Sequence, residues 1–186
     1  MNEPGHNPRL TRPLWIVLPW LLSACAALST SPPAPAHLPD MPALQQFIAH
    51  PCDERAAPLG PYRRVIVQRL SANQSRWLML DALGAPEARQ ITEHGQWRQD
   101  GFLPPNPDAT QLFASMLAAM TPVKRLHEVY PALTRHQQGD TLHDSEAGQM
   151  RWQIRQSGSG WQIRLPAKGN LWCIKPIGEP TQRGNP

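Results

Sequence analysis

The chain has 186 residues, 22 of them proline, with a formal net charge of +4 and 17% charged residues. That length predicts one folded domain with additional segments rather than a multidomain assembly. Its basic residues are spread along the chain instead of gathered in blocks, which argues against a nucleic-acid-binding protein.

Residues 1–12 carry Arg9 and Arg12 against Glu3, and residues 13–24 (PLWIVLPWLLSA) carry no charge. A basic start followed by a short apolar run predicts a secretory signal peptide. A membrane-spanning helix needs about 20 apolar residues, more than this run supplies. Pro13 and Pro19 argue against a buried core helix, whose interior rejects proline. The segment Leu22-Ser23-Ala24-Cys25 resembles the lipobox of bacterial lipoproteins: a leucine, two small residues and a cysteine. The resemblance implies removal of residues 1–24, a diacylglyceryl group on the Cys25 sulfur and an acylated new amine, with palmitate as the expected chain. Small side chains let an extended backbone enter a narrow protease site, and a thiol is a strong nucleophile. Ala26, where an aspartate would imply retention in the inner membrane, implies an outer-membrane lipoprotein on the periplasmic face. Loss of residues 1–24 removes two arginines and one glutamate, leaving a mildly basic chain.

Residues 25–42 then hold prolines at 32, 33, 35, 39 and 42. This density disfavours helix and sheet and predicts an extended tether reaching about 50 Å. The folded domain is expected over residues 43–178, with 179–186 a loose tail. Cys52 and Cys173 fall inside it. In an oxidising compartment they are either a disulfide or two separate buried thiols. A bridge would close a loop of roughly 120 residues and contribute about 4 to 5 kcal/mol.

The domain opens with strands. YRRVIVQRL (62–70) is rich in β-branched residues, SRWLMLDAL (75–83) follows after a polar turn, and ARQITEHGQWRQ (88–99) predicts one or two more strands around His94-Gly95. After FLPPNP, the run Asp108–Met120 places Leu112, Phe113, Met116, Leu117 and Met120 on one helical face. Asp108 is the expected N-cap, with Gln111 completing a capping box. Thr121-Pro122 is expected to start a second short helix ending before Pro131. The apolar stripe is either core or the adaptable lining of a lipid cavity. The clearest pattern lies in QMRWQIRQ (149–156), where Met150, Trp152 and Ile154 alternate with Arg151, Gln153 and Arg155. Trp161, Ile163 and Leu165 repeat it after the SGSG turn. It predicts a hairpin with one apolar and one cationic face. A last strand is expected at 171–177, bringing Cys173 near the start of the domain.

Strands, a helical pair and further antiparallel strands, all behind a lipobox, resemble the LolA/LolB-type periplasmic lipoprotein carriers and receptors. Within that group LMLDALGAPEARQITEHGQ and the Leu/Met helix look most like small proteobacterial lipoproteins, some encoded with aryl-polyene or fatty-acid-like pathways. The resemblance implies an α+β fold: a curved antiparallel sheet, an incomplete β-barrel, with a short helical pair on its concave face. It also implies an acyl chain or lipidated cargo between sheet and helices, with Leu112, Met116, Met120, Trp152 and Trp161 as the expected lining. LolB-type receptors carry an exposed apolar residue on a protruding loop that helps deliver cargo, and Leu83 is the candidate here.

Two other classes compete. His94, His127, His136 and His143 lack His-x-x-x-His spacing, Gly158-Ser159-Gly160 lacks the flanks of a nucleophile elbow, and His143–Glu146 reads as a solvated loop. No metal, cofactor or enzymatic activity is therefore expected. A structural or assembly lipoprotein, pilotin-like or a secretion-system anchor, would instead hold a protein partner on the Arg/Gln face of the hairpin. The expected state is a monomer held on the membrane by its N-terminal lipid.

Overall fold

The computed structural model describes residue 1, residues 32–166 and residues 168–178. The expected signal peptide, Cys25, the first part of the tether and the tail at 179–186 lie outside the described residues. Ten strands form one antiparallel sheet that the chain fills from the middle outward: β1 (Leu44–Pro51), β2 (Arg63–Arg69), β3 (Ser75–Leu80), β4 (Pro86–Glu93) and β5 (Gln96–Gln99). The helices α1 (Pro107–Met120) and α2 (Leu126–Val129), joined by a 3₁₀ turn at Val123–Arg125, carry the chain to the other edge. From there β6 (Leu133–Gln138), β7 (Thr141–Glu146), β8 (Gln149–Ser157), β9 (Gly160–Leu165) and β10 (Asn170–Pro176) return to the middle, where β10 pairs with β1. β5 and β6 remain the two edges, so the sheet is curved but unclosed and the fold is α+β.

Alternation decides which side chains face inward. Val65 and Val67, Trp77 and Met79, Trp152 and Ile154, and Ile163 and Leu165 are buried on the concave side. The buried stripe Leu112, Phe113, Met116 and Leu117 of α1 belongs to the same core. Phe113 lies 5.4 Å from Trp77 between ring centroids, and Trp97 lies 5.8 Å from Trp77. The space above β3 to β5 is thus filled by aromatic rings. Trp77 donates to Ser75 Oγ at 2.9 Å, and Ser75 meets Thr92 at 2.6 Å, so these buried polar groups are paired. Two glycines are fixed by geometry. His94 and Gly95 both have positive φ, 50° and 70°, as the tight β4–β5 turn demands. At Gly160 a Cβ would run into the Ile174 carbonyl of the neighbouring strand.

Helix ends differ from the expected caps. Asn106, not Asp108, caps α1: its side chain accepts from Ala109 N at 3.0 Å, and Asp108 sits within the first turn. Pro107 explains the shift, because its fixed φ suits the first helical position and the cap must precede it. Thr121 closes α1 instead of opening the next helix, its hydroxyl donating to the Leu117 carbonyl at 2.8 Å. A residue before proline is driven to extended backbone, and Thr121 has ψ 119°.

Two further differences concern segments read as irregular. His143–Glu146 belongs to β7 and is no solvated loop, because Asp144 is fully buried in an ion pair with Arg135 of β6. The Pro-rich segment packs on the domain from residue 32 onward, ahead of the expected boundary at 43. Leu38 and Met41 are buried, Ala36 N donates to Val129 O at 2.7 Å, and Trp97 Nε1 donates to Pro33 O at 3.4 Å. Proline leaves few free N–H groups, and the strap binds through side chains, the Pro33 carbonyl and the N–H of Ala36. Cys52 and Cys173 are joined as a disulfide with Cα atoms 5.8 Å apart, tying the end of β1 to β10. These two strands are the seam between the halves of the sheet.

Candidate functional site

The strand directions bring the end of β3, the start of β2 and β4, the end of β9, the start of β10 and the N-terminus of α1 to one end of the sheet. A cleft of about 390 Å³ opens there. Met79, Leu112, Leu165 and Trp172 give it an apolar floor, and Arg63, Glu87, Asp108 and Lys168 give it a charged rim. Each rim cation has a carboxylate partner. Arg63 Nε donates to Glu87 at 2.6 Å, and Lys168 Nζ lies 3.2 Å from Asp108. The Arg63 guanidinium also stands 5.5 Å from the Trp172 ring centroid, a cation–π arrangement that fixes the indole at the cleft wall. Asn106 binds both sides of this opening, capping α1 and donating to the Glu87 carbonyl at 3.3 Å. A second cleft of about 380 Å³ shares Asn170 and Trp172 with the first, and its lining sets Leu59 and Leu171 beside Asp53, Glu54 and Arg164.

The same end of the sheet carries exposed apolar side chains. Leu83, 94% exposed, projects from the β3–β4 turn, which Asp81 holds by accepting from Leu83 N at 2.9 Å and Ala85 N at 2.8 Å. Leu59 and Tyr62 before β2 and Phe102 after β5 are exposed as well. A rigid turn that presents a leucine to water keeps an apolar surface the fold itself does not use.

Of the residues expected to line a cavity, Leu112 alone borders the cleft. Met116 and Trp152 are fully buried in the packed core, and Met120 and Trp161 are half-buried against it, Trp161 lying 6.0 Å from Phe47. Helical spacing told which face of α1 turns inward; it did not tell that Trp77, Trp97 and Phe113 fill the space in front of it. Arg63, Met79, Lys168 and Trp172 were missed, since only the pairing of distant strand ends brings them together. The alternation in YRRVIVQRL and LWCIKPI was the one available signal for Arg63 and Trp172.

Charge on the convex side is largely paired. Arg76 and Arg89, from adjacent strands, bind Asp100 at 2.6 and 2.9 Å, and Arg98 binds Glu93 at 2.8 Å. Burial works to raise the Asp100 pKa, but the hydrogen bonds and charge of the two arginines win and hold it below the ordinary carboxylate range. On the C-terminal half, Arg155 binds Gln162 and Arg164 binds Glu54 of the β1–β2 loop. Among the described residues no group of His, Cys, Asp and Glu side chains is arranged to hold a metal ion. Compared with known protein families and with curated protein sequences, the chain matches none.

Proposed function

We propose that this protein is a lipoprotein anchored through Cys25 to the periplasmic face of the outer membrane, and that its domain binds an acyl chain or lipidated cargo. The observation that carries the reading is the end cleft, with its apolar floor of Met79, Leu112, Leu165 and Trp172 under a charged rim. Its volume falls within the range of ligand-binding clefts, about 300 to 1,000 Å³. An amphiphile suits such a site, tail on the floor and head at the rim. Leu83 at the same end supplies an apolar contact for delivery, as the resemblance to LolB-type receptors implies. The chain between Cys25 and the strap at residue 32 is short, so the anchor allows a reach of about 25 Å rather than the 50 Å expected of a longer tether.

The filled core gives a specific reason to keep a second reading, a structural or assembly lipoprotein holding a protein partner. Trp152, Met116 and Phe113 leave the central concave space packed. The outward Arg151, Gln153, Arg155 and Arg164 would then be the contact surface.

Among the described residues, every strand, both helices and the core lie within residues 32–178. A chain from residue 26 onward, exported behind a cleavable signal so that the disulfide forms, therefore retains the folded unit. Native mass spectrometry of this protein should show co-purified fatty acid or phospholipid in stoichiometric amount. A lipid-free mass that stays lipid-free after incubation with bacterial lipid extract would leave the partner-binding reading standing.

A further inference from the structure

We infer that the end cleft selects a single-chain amphiphile with a zwitterionic head, a lysophospholipid carrying an ammonium group, over free fatty acids and over lipids with two or more chains. This inference rests on the acyl-binding reading of the same cleft and names its ligand class.

The chain number follows from volume. A methylene-sized group takes roughly the 30 Å³ share of a water in the liquid, so 390 Å³ holds about 13 such groups. That is one acyl tail. The neighbouring 380 Å³ cleft is a separate opening: Asn170 and Trp172 line both, and a second tail would have to pass these two side chains to reach it. The packed ring cluster of Trp77, Trp97 and Phe113 stops a longer tail from continuing under α1.

The head group follows from charge. Arg63 and Lys168 are balanced by Glu87 and Asp108, so the rim carries no net charge. A fatty-acid carboxylate would bring one uncompensated negative charge beside two carboxylates. A zwitterion brings none. The Lys168–Asp108 pair is the one that can part, since its side chains are 53% and 60% exposed and exposed pairs contribute little. Phosphate then meets Lys168 and the ammonium meets Asp108, two ion pairs where there was one. The Arg63–Glu87 pair, less exposed and stacked on Trp172, remains as the wall.

Titration calorimetry on the chain from residue 26 onward, below the aggregation concentration of each lipid, tests this. Lysophosphatidylethanolamine with a 12- to 14-carbon chain should bind at least tenfold more tightly than the fatty acid of the same length, about 1.4 kcal/mol. It should also bind at least tenfold more tightly than diacyl phosphatidylethanolamine presented in nanodiscs. Lys168→Ala and Asp108→Ala, both on exposed side chains, should each weaken the lysolipid severalfold and narrow its advantage over the fatty acid, with circular dichroism unchanged. Equal binding of fatty acid, or of the diacyl lipid, overturns the inference while leaving an acyl-binding cleft. Binding of none of the three overturns that cleft as well.

Discussion

Arg135 on β6 grips Asp144 on β7 through two hydrogen bonds of 2.6 Å, with side chains only 4% and 0% exposed. The same guanidinium donates to the Ala118 carbonyl at 3.0 Å, and Trp152 Nε1 donates to Asp144 at 2.6 Å. The last turn of α1 has no basic residue of its own, so Arg135 supplies from the sheet the positive charge that the helix C-terminus favours. One buried pair thereby fixes the helix to an edge of the sheet.

Removing one partner strands a buried charge. Asp144→Ala should cost about 3 to 5 kcal/mol in urea unfolding. Replacing both residues with apolar ones of similar size should recover part of that loss, since no charge is then left unpaired. A double variant no better than the single would mean that the carbonyl contacts, and not the ion pair, hold the helix.

The cap of α1 and the acidic residue in its first turn make unequal demands. Asn106→Ala should destabilise the domain by about 1 kcal/mol, whereas Asp108→Ala should change stability by less than about 0.5 kcal/mol. Equal losses would return Asp108 to the role its position before the apolar run suggested.

That contrast shows where the sequence was legible. The β8–β9 hairpin could be read because Trp152, Ile154, Ile163 and Leu165 alternate cleanly with Arg and Gln, and its predicted and observed limits nearly agree. β6 and β7 could not, because LTRHQQ and TLHDSE bury little besides Leu133, Asp144 and the Arg135 head, and their pattern looks like a polar loop. β1 escaped for a related reason: in LQQFIAHP only Phe47 and Ala49 are buried, and its pairing with β10 spans most of the chain. The cleft is less legible still, being made by contact between strand ends far apart in sequence.

The disulfide joins residues 121 apart across the seam between β1 and β10. Cys173→Ser should lower unfolding free energy by about 4 to 5 kcal/mol under oxidising conditions. The variant should also lose the sensitivity to reductant that the parent shows. A parent whose urea midpoint ignores reductant would contradict the bridge.

Acid sensitivity should trace in part to Asp100. Its folded pKa lies below the unfolded value of about 3.9, so its stabilisation is complete above that pH and is lost as pH falls through the folded pKa. Asp100→Asn should be less stable at neutral pH and should lose stability less steeply below about pH 4. Parallel acid limbs for the two proteins would remove Asp100 from the explanation.

Leu83 makes no contribution to the core, so Leu83→Glu should leave the urea midpoint within about 0.5 kcal/mol of the parent. Transfer of a fluorescent lipid from the protein to vesicles should slow severalfold. Unchanged transfer would assign the exposed leucine some other task.

The most direct test of the central claim is where a bound chain lies. A single-chain lipid with a photoactivatable group near its tail end, irradiated on the protein and mapped by peptide mass spectrometry, should label the peptides holding Met79, Leu112, Leu165 or Trp172. Labelling confined to the convex Arg151–Arg164 surface, or no saturable labelling at all, would contradict an acyl-binding cleft.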